Sequence, residues 1–354
     1  MPLEVVCEWG QGHGGDVGVA VEQAYATADM GAQVAKYQIF DPARLASKEA
    51  RRYWATSLGG NVSQLRTFTG NGTLTAGEWE RVAEACATAG VEFCATPFDL
   101  QAVDLLVRLN VRTFKIASGD ITFRQLIEKV AAAGKRCLLS TGASTLREIE
   151  QAINWFEPQT PPPDLKRRDW APHSNLVLLA CDLQYPTDHP DLGKIRWLAD
   201  YGRRVGYSDH TTSPMTGMLA ARAGARVLEK HCTLNPGGKV PDDNMALTVE
   251  QMTTYIRHAH EGHHDGDDLV LLGEHEHAAR IQARRSIYTS RPVRAGDVIQ
   301  TDAVVFLRPC PVGALQPQDA DLIIGRRAAC DIPAGERITL KHTAQHAPKL
   351  RFAA

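Results

Sequence analysis

Two lysines and two histidines stand in runs that are otherwise apolar, and together these residue types can do chemistry. Lys36 and Lys115 each lie inside a strand-like run, where burying an ammonium group is costly unless an anion meets it. His210 and His231 end two further runs, and two converging imidazoles leave open positions on a bound metal ion. Imidazole with oxygen donors suits Mn²⁺, Fe²⁺, Co²⁺ or Zn²⁺. These residues predict a site for an anionic substrate and a divalent cation.

Each of these signals has a second interpretation. The two histidines can be ordinary core residues whose rings are satisfied by Asp209 and Glu229. Lysines in such positions can also form Schiff bases with carbonyl substrates, and the protein would then be an aldolase that needs no metal.

Eight short apolar runs recur along the chain, and polar turns and amphipathic stretches separate them. Strands buried on both faces read as continuous apolar runs, so eight such units in succession predict a closed parallel (β/α)8 barrel. An open doubly wound sheet is the alternative, but no Gly-rich phosphate-binding sequence follows the first run. The predicted strands are 4–9, 32–38, 91–97, 112–118, 136–141, 176–181, 204–209 and 226–231.

The active site of a parallel barrel forms at the carboxyl ends of its strands. Loops begin there, so some polar residues are expected in any barrel. Two lysines, two histidines and two acids on apolar strands nevertheless point to one shared polar site, with hydroxyl donors suited to a phosphate and a carboxylate. The residues at these ends are Glu8, Lys36, Gln38, Thr96, Lys115, Ser118, Asp120, Ser140, Thr141, Tyr185, Ser208, Asp209, His210, Glu229 and His231.

The chain length fits a barrel of about 250 residues with a small second domain. The chain has 354 residues and a formal net charge of −2, so no overall field directs it to nucleic acid or to a membrane surface. It has no run of 18 apolar residues, no signal-peptide pattern at the start and eight cysteines without a C-x-x-C pair. We therefore expect a cytoplasmic protein with reduced thiols.

The composition changes after the barrel. Residues 1–262 form the predicted barrel, and 263–280, rich in His, Asp and Gly, form a predicted solvated linker. Residues 281–345 contain short strand-like runs and the near-repeats PVRAGDVIQTD and DIPAGERITLKH, which predict a small β-rich domain. A frayed tail, 346–354, is expected to follow.

The motifs resemble the sialic acid synthase family, which includes N-acetylneuraminate, legionaminate and pseudaminate synthases, over nearly the whole length. FKIASGD, LLSTG, GYSDHT and LEKH in this order are specific together, although each alone would be weak. RRSIYTSRPVRAGDVI and FLRP are similar to the antifreeze-like (SAF) domain that ends these synthases. The other matching motifs are CEWGQGH, GAQVAKYQ, ATPFD, YPT and VPDD.

The resemblance implies a divalent metal, typically Mn²⁺, and condensation of phosphoenolpyruvate with the aldehyde end of an N-acetylated amino sugar. His210 and His231 match the metal ligands, with Glu229 beside them. Glu8 matches an active-site acid, and Tyr185 and Asp242 match sugar-contacting positions. Arg308 matches an arginine that the SAF domain of one subunit extends into the partner's active site, which implies a domain-swapped homodimer. The matches to phosphoenolpyruvate ligands are Lys36, Thr96, Lys115, Ser118, Ser140 and Ser208.

The chain departs from the family pattern at four positions. Gly12 replaces the usual Asn, Asp120 is one methylene shorter than the usual Glu, and Leu183 stands where a polar Asn or Ser is common. Cys310 alters the second half of the usual RPG motif. Because the departures include positions facing the acceptor, we hypothesise that the acceptor differs from N-acetylmannosamine.

Three other functions compete with this one. They are a Schiff-base aldolase, a synthase for phosphorylated acceptors, and a barrel that binds sugar or phosphoenolpyruvate without turnover. A synthase for phosphorylated acceptors would need a further Arg- and Lys-rich phosphate site and would lack the C-terminal domain. In the favoured mechanism Glu8, Asp120 or Asp242 moves protons, and the sequence leaves the choice open.

Overall fold

The structure is a computed structural model that describes most of the chain. No helix within this described part is long and apolar enough to cross a membrane. The described residues are 3–54, 63–157, 175–201, 204–238, 240, 242–243, 245–262 and 276–343.

Eight parallel strands close into a barrel, as the sequence predicted. Each strand pairs with its successor, and β8 also pairs with β1, which closes the ring. A ninth, two-residue strand, Leu247–Thr248, extends the sheet beside β8. Strands β1 to β8 are Glu4–Gly10, Val34–Ile39, Glu92–Pro97, Thr113–Ile116, Arg136–Ser140, Leu176–Cys181, Arg204–Asp209 and Val227–Thr233.

Helices cover the outside of the barrel, and their ends follow local sequence signals. Thr75 and Thr145 each begin a helix with a capping box, in which Thr accepts from the backbone of a Glu three residues later and that Glu accepts in return. Gly90 ends the first of these helices with a positive φ of 77°, which favours glycine. Helices α1 to α10 are Val17–Asp29, Pro42–Leu45, Gln64–Gly70, Ala76–Ala89, Leu100–Arg108, Arg124–Ala132, Leu146–Phe156, Gly193–Ala199, Thr216–Arg222 and Val249–Gly262.

Two apolar layers hold the barrel together. The larger one lies between strands and helices and includes Trp9, Trp79 and Phe114. A smaller cluster fills the centre of the barrel with β-branched, leucine and cysteine side chains, which is the usual filling of a closed eight-stranded barrel. This central cluster is Val6, Val34, Cys94, Leu138, Val177, Leu179 and Val227.

The C-terminal domain has its own small core and an antiparallel pair, β10 (Ser286–Thr289) with β11 (Val304–Leu307). The two near-repeats meet each other, because Val293 forms a β-bridge with Ile332. Short 3₁₀ turns complete the domain at Thr301–Ala303, Pro317–Leu322 and Leu340–His342.

Helix α11 (Glu276–Ala283) spans the last part of the predicted linker and the first residues of the predicted β-rich domain. This helix packs on the 3₁₀ turn Ser118–Asp120 that follows β4. Residues 263–275 and the predicted tail from 346 onward lie outside the described residues.

Candidate active site

The polar site lies directly above the apolar filling because side chains along a strand alternate between faces. Val6, Val34, Leu138 and Val227 point into the barrel centre, so the residues two positions later point the same way, nearer the carboxyl end. Those residues are Glu8, Lys36, Ser140 and Glu229, and a second step reaches Gln38 and His231. The strand register aligns Glu8 with Lys36 on one side and with His231 on the other.

The pocket at this mouth encloses about 770 Å³, counting the part open to solvent. It receives side chains from all eight barrel strands or the loops after them, so the closed barrel converts residues far apart in sequence into one wall. Fourteen of the predicted site residues line it: Glu8, Lys36, Gln38, Thr96, Lys115, Ser118, Ser140, Tyr185, Ser208, His210, Glu229, His231, Asp242 and Arg308.

Glu229 lies between the two lysines at the base of the pocket. Its Oε1 accepts a hydrogen bond from Ser208 Oγ at 2.8 Å and lies 3.8 Å from Lys115 Nζ. Its Oε2 lies 3.6 Å from Lys36 Nζ and has no hydrogen-bond partner within the described chain. Burial tends to raise the pKa of Glu229, but Lys115 and Lys36 hold it below the usual value, so the group is a carboxylate.

Lys36 is held as a cation. It donates a hydrogen bond to Glu8 Oε2, and Glu8 Oε1 accepts another from Gln38 Nε2 at 2.8 Å. Burial alone would lower the pKa of Lys36, but the carboxylates of Glu229 and Glu8 raise it above its ordinary value. Burial conversely raises the pKa of Glu8, although Lys36 opposes this. A protonated Lys36 can neutralise an anion, but it has no lone pair with which to attack a carbonyl carbon.

His210 and His231 lie side by side, with ring centroids 5.7 Å apart. Nδ1 of His210 is 2.7 Å from the carbonyl oxygen of Asp182, and a carbonyl only accepts, so Nδ1 carries the proton and Nε2 keeps its lone pair. The ring of Tyr185 stacks on His210 at 4.0 Å. Burial lowers the pKa of His210 to about 4 and that of His231 well below its usual value, so both rings are neutral at pH 7.

These histidines suit a divalent cation. Neutral imidazole is the form that binds metals, and Nδ1 of buried His231 has no hydrogen-bond partner among the described residues. Asp242 Oδ2 lies 3.6 Å from that nitrogen. The described residues contain no group of three or more His, Cys, Asp or Glu able to enclose an ion, so substrate or water would supply further ligands.

The charges of the lining give an independent argument for a cation. Three basic and three acidic side chains face the pocket, so a substrate carrying a phosphate and a carboxylate would leave an excess of negative charge. A divalent cation offsets that excess. The charged lining residues are Lys36, Lys115, Arg308, Glu8, Glu229 and Asp242.

Asp242 is the acid nearest the outer part of the pocket. Burial raises its pKa to about 7, and the negative charges of Glu8 and Asp243 act in the same direction. The Asp242 side chain packs directly against the backbone of Gly10, since a Cβ added there would lie 2.7 Å from Asp242 Oδ2. Gly10 also has a positive φ of 54°, so a larger residue there would strain the backbone as well as push the Asp242 carboxylate away.

Arg308 enters the pocket of its own chain. Its guanidinium lies over the ring of Phe98 at 5.5 Å, and Nη1 donates to Gln64 Oε1 at 3.4 Å. The backbone around it joins the loop after β2, through Ser47 N to Arg308 O at 3.0 Å. Exchange between subunits is therefore not required to bring this arginine to a pocket, and the domain-swapped homodimer stays a prediction.

Asp120, like Thr141 and Asp209, does not line the pocket, which corrects the place that the position at a strand end predicted for it. The carboxylate is fully buried behind Ser118 and Gly119 and accepts a hydrogen bond from Nε of Arg285. Gly119 permits this packing, since a Cβ there would lie 2.5 Å from the carbonyl oxygen of Ala283. Asp120 therefore joins the barrel to the C-terminal domain.

The sequence did not reveal the apolar side of the pocket. Tyr53 and Trp54 come from the loop after β2, and Tyr53 packs against Tyr185 with ring centroids 5.9 Å apart. Leu183, noted as a departure from the family pattern, is also in this wall and is buried. Adjacent aromatic residues in a long βα loop were the available signal. The other unforeseen lining residues are Gln11, Leu45, Phe68, Phe98, Ala117, Gly119 and Cys181.

Fold and pocket together define a (β/α)8-barrel enzyme whose active site is built for an anionic substrate. The chain belongs to the NeuB family, which matches residues 21–266, and a SAF domain matches residues 284–342. These matches confirm the family resemblance and the two-part architecture.

Individual relatives span nearly the same length. The chain is 32% identical to an uncharacterised protein of Methanocaldococcus jannaschii, covering 87% of this chain and 85% of that one. It is 29% identical to the N,N'-diacetyllegionaminic acid synthase of Legionella pneumophila, covering 97% and 95%. The crystal structure of the spore coat polysaccharide biosynthesis protein SpsE from Bacillus subtilis shares the fold, with a TM-score of 0.78, 23% identity and coverage of 98% and 96%.

Proposed function

We propose that this protein condenses phosphoenolpyruvate with the aldehyde end of a sugar, releases inorganic phosphate, and so forms a 2-keto-3-deoxy sugar acid. One observation carries the proposal: Lys36, Lys115, His210 and His231 converge at one mouth of the barrel around buried Glu229. Family membership supports it, because the Legionella relative is named as a synthase of this kind of acid.

Phosphoenolpyruvate would bind at the base of the pocket, and the acceptor sugar would bind at its rim. Lys36 and Lys115, with the hydroxyl of Ser140, which has no partner within the described chain, would bind the phosphate and carboxylate of phosphoenolpyruvate. Tyr53, Tyr185 and Asp242 would hold the acceptor above it. Holding both molecules in reacting orientation removes much of the entropic barrier.

The bonds change in two stages. C3 of phosphoenolpyruvate attacks the aldehyde carbon, whose oxygen gains a proton, and the positive character left at C2 is quenched by water. The resulting tetrahedral carbon loses phosphate by cleavage of its C–O bond, which leaves the 2-keto group. Glu8 and Asp242 lie in the pocket and can move these protons, whereas Asp120 lies behind the wall.

His210 and His231 would hold a divalent cation, for which we propose Mn²⁺. When bound, the cation supplies a Lewis acid for the aldehyde oxygen. The protein contributes the neutral state of both rings and the orientation of His210, which the Asp182 carbonyl fixes. Lys194 supports this arrangement by pairing with the Asp182 side chain.

The Schiff-base alternative does not fit Lys36. A lysine nucleophile must be uncharged, and enzymes achieve this by lowering the pKa of the amine through burial or neighbouring cations. Here two carboxylates surround the ammonium group and raise its pKa. Lys36 therefore stabilises negative charge.

Release of inorganic phosphate from phosphoenolpyruvate is the direct test. With a panel of unphosphorylated aldoses and N-acylated amino sugars, we expect phosphate to appear only when both reactants are present, in a 1:1 ratio with the new keto acid. Phosphoenolpyruvate alone and each sugar alone are the controls. No phosphate release with any aldehyde of the panel would contradict catalysis and favour a barrel that only binds.

The same panel tests the acceptor. The apolar wall of Leu183, Tyr53 and Trp54 suits a sugar with an apolar substituent in place of a hydroxyl group. We propose that the acceptor is not N-acetylmannosamine. A higher kcat/KM for N-acetylmannosamine than for every other aldose would refute this part while leaving the condensation intact.

Removal of metal gives a separate prediction. We expect dialysis against EDTA to abolish phosphate release and Mn²⁺ to restore it, because two neutral imidazoles alone cannot activate the aldehyde. His210→Ala should raise the Kd for Mn²⁺, measured by equilibrium dialysis, at least tenfold. This factor corresponds to a loss of ~1.4 kcal/mol of binding free energy. His189→Ala, on the loop after β6, is the matched control and should bind normally. Full activity after exhaustive chelation would overturn the metal proposal.

A further inference from the structure

A second cavity lies where helix α11 and the segment after β11 meet the barrel, and the catalytic pocket does not include it. It encloses about 720 Å³, counting the part open to solvent. Two arginines stand in its wall: Arg280 lies in α11, and Arg284 directly follows the helix and donates its backbone N–H to the Arg280 carbonyl at 3.1 Å. Cys310, Ala314 and Gln316, from the segment after β11, also line the cavity.

Arg284 is the unusual member of this wall, because it is buried and only partly satisfied. Its exposed fraction is 2%. Nη2 donates to the Ala143 carbonyl and to Ser144 Oγ, both at 3.0 Å. Nε and Nη1 have no acceptor among the described residues, which leaves three of its five N–H groups unpaired. Leaving such donors buried without partners is costly unless a ligand meets them.

The local charge points the same way. Glu148 is the carboxylate that faces both arginines: it pairs with Arg280 and lies 3.7 Å from Arg284 Nη2. These two guanidinium groups and this one carboxylate together carry a net charge of +1. Burial lowers the pKa of Arg284 to about 10 although Glu148 opposes this, which is the cost of a cation with too few partners.

We infer that this cavity binds a small oxyanion, with Arg284 donating its free N–H groups to it. The unpaired donors, the excess positive charge and the room in the cavity all favour a compact dianion, such as inorganic phosphate, over a neutral ligand. The site is independent of the condensation proposed above, since none of its wall residues lines the catalytic pocket.

Neighbouring residues connect this cavity to the catalytic pocket. Arg284 precedes Arg285, which holds Asp120 behind the pocket residues Ser118 and Gly119. Arg284 also holds the loop at Ala143 and Ser144, which follows β5. An oxyanion that neutralises Arg284 stabilises the contact between the C-terminal domain and these two loops.

Calorimetric titration with inorganic phosphate tests the inference, at fixed ionic strength with chloride as background. Because the catalytic pocket can also take phosphate, the titration uses the full chain carrying Lys115→Met, which weakens that pocket. We expect one phosphate to bind. Adding Arg284→Gln should raise its Kd by about tenfold or more, the factor of a lost charge-assisted hydrogen bond. Adding Arg291→Gln, an exposed arginine paired with Asp302, should leave the Kd unchanged.

A second variant keeps the inference testable if Arg284→Gln does not fold. Ala314→Leu narrows the cavity and leaves the arginine intact, so it should also raise the Kd by about tenfold or more. Sulfate should bind like phosphate, whereas tighter binding of acetate would identify a carboxylate as the ligand. An unchanged Kd in Ala314→Leu and in any folded Arg284→Gln, or the absence of binding by all three anions, overturns the inference without touching the condensation activity.

Discussion

Replacing Lys115 with methionine is expected to lower kcat/KM for phosphoenolpyruvate by about a hundredfold to a thousandfold, the usual loss when one preorganised charge-stabilising donor is removed. The ammonium group lies in the base of the pocket, where only Glu229, at 3.8 Å, is within ion-pair distance among the described residues. An anionic substrate would complete its coordination. Steady-state kinetics of phosphate release from phosphoenolpyruvate measures the effect.

Stability should change little in this variant. Methionine replaces the aliphatic stem of Lys115, and Glu229 keeps its hydrogen bond from Ser208 and its contact with Lys36. Lys135→Met is the matched control, because its ammonium group donates to Asn110 Oδ1 at the surface, away from the pocket. A kcat/KM within about threefold of the unchanged protein would remove Lys115 from the anion site, since a charge-stabilising donor contributes far more.

Replacing Arg285 with methionine is expected to lower the free energy of unfolding by about 3–5 kcal/mol, because it leaves a buried carboxylate without its partner. Arg285 is 1% exposed and pairs with Asp120. Its other N–H groups donate to the carbonyl oxygens of Arg44, Phe98 and Phe306. One side chain thus joins three barrel loops to β11 of the C-terminal domain. Urea unfolding measures the loss.

Two further variants separate the ion pair from general effects of losing an arginine. Arg291→Met removes an exposed pair with Asp302 and should cost less than about 1 kcal/mol. Asp120→Asn keeps an acceptor for Arg285 and should cost less than Arg285→Met. If Arg285→Met is no more destabilising than Arg291→Met, Arg285 does not hold the two domains together. The KM for phosphoenolpyruvate should rise in Arg285→Met, since Ser118 and Gly119 lie on the turn that Asp120 anchors.

The position of Arg308 shows why these domain contacts matter for catalysis. The arginine is part of the pocket only because the C-terminal domain docks on the loops after β2 and β4. Arg285 and Arg308 lie at the same end of the antiparallel pair, directly before β10 and directly after β11, because Ser286 pairs with Leu307. Loosening the contact at Arg285 would therefore also displace the guanidinium group of Arg308 from the pocket.

The sequence alone determined the barrel and most of its active site. Buried parallel strands must be apolar on both faces, so the eight runs were visible, and the strand bounds in the structure differ from the predicted ones by two residues or fewer. Because side chains alternate and all strands run the same way, a polar residue at the end of a run had to face the mouth. This reasoning placed Lys36, Lys115, His210 and His231 together.

Only the tertiary structure decided which acids and which arginines belong to that site. Asp120 follows a strand end, as the rule requires. Its carboxylate nevertheless pairs with Arg285, 165 positions later, and lies behind the pocket wall. Tyr53 reaches the pocket from a long loop, and Arg308 arrives from the other domain. Local sequence patterns report the direction of a side chain within its own element. They carry no information on partners brought together by packing between distant elements, and those partners decide whether a charge faces a substrate or another side chain.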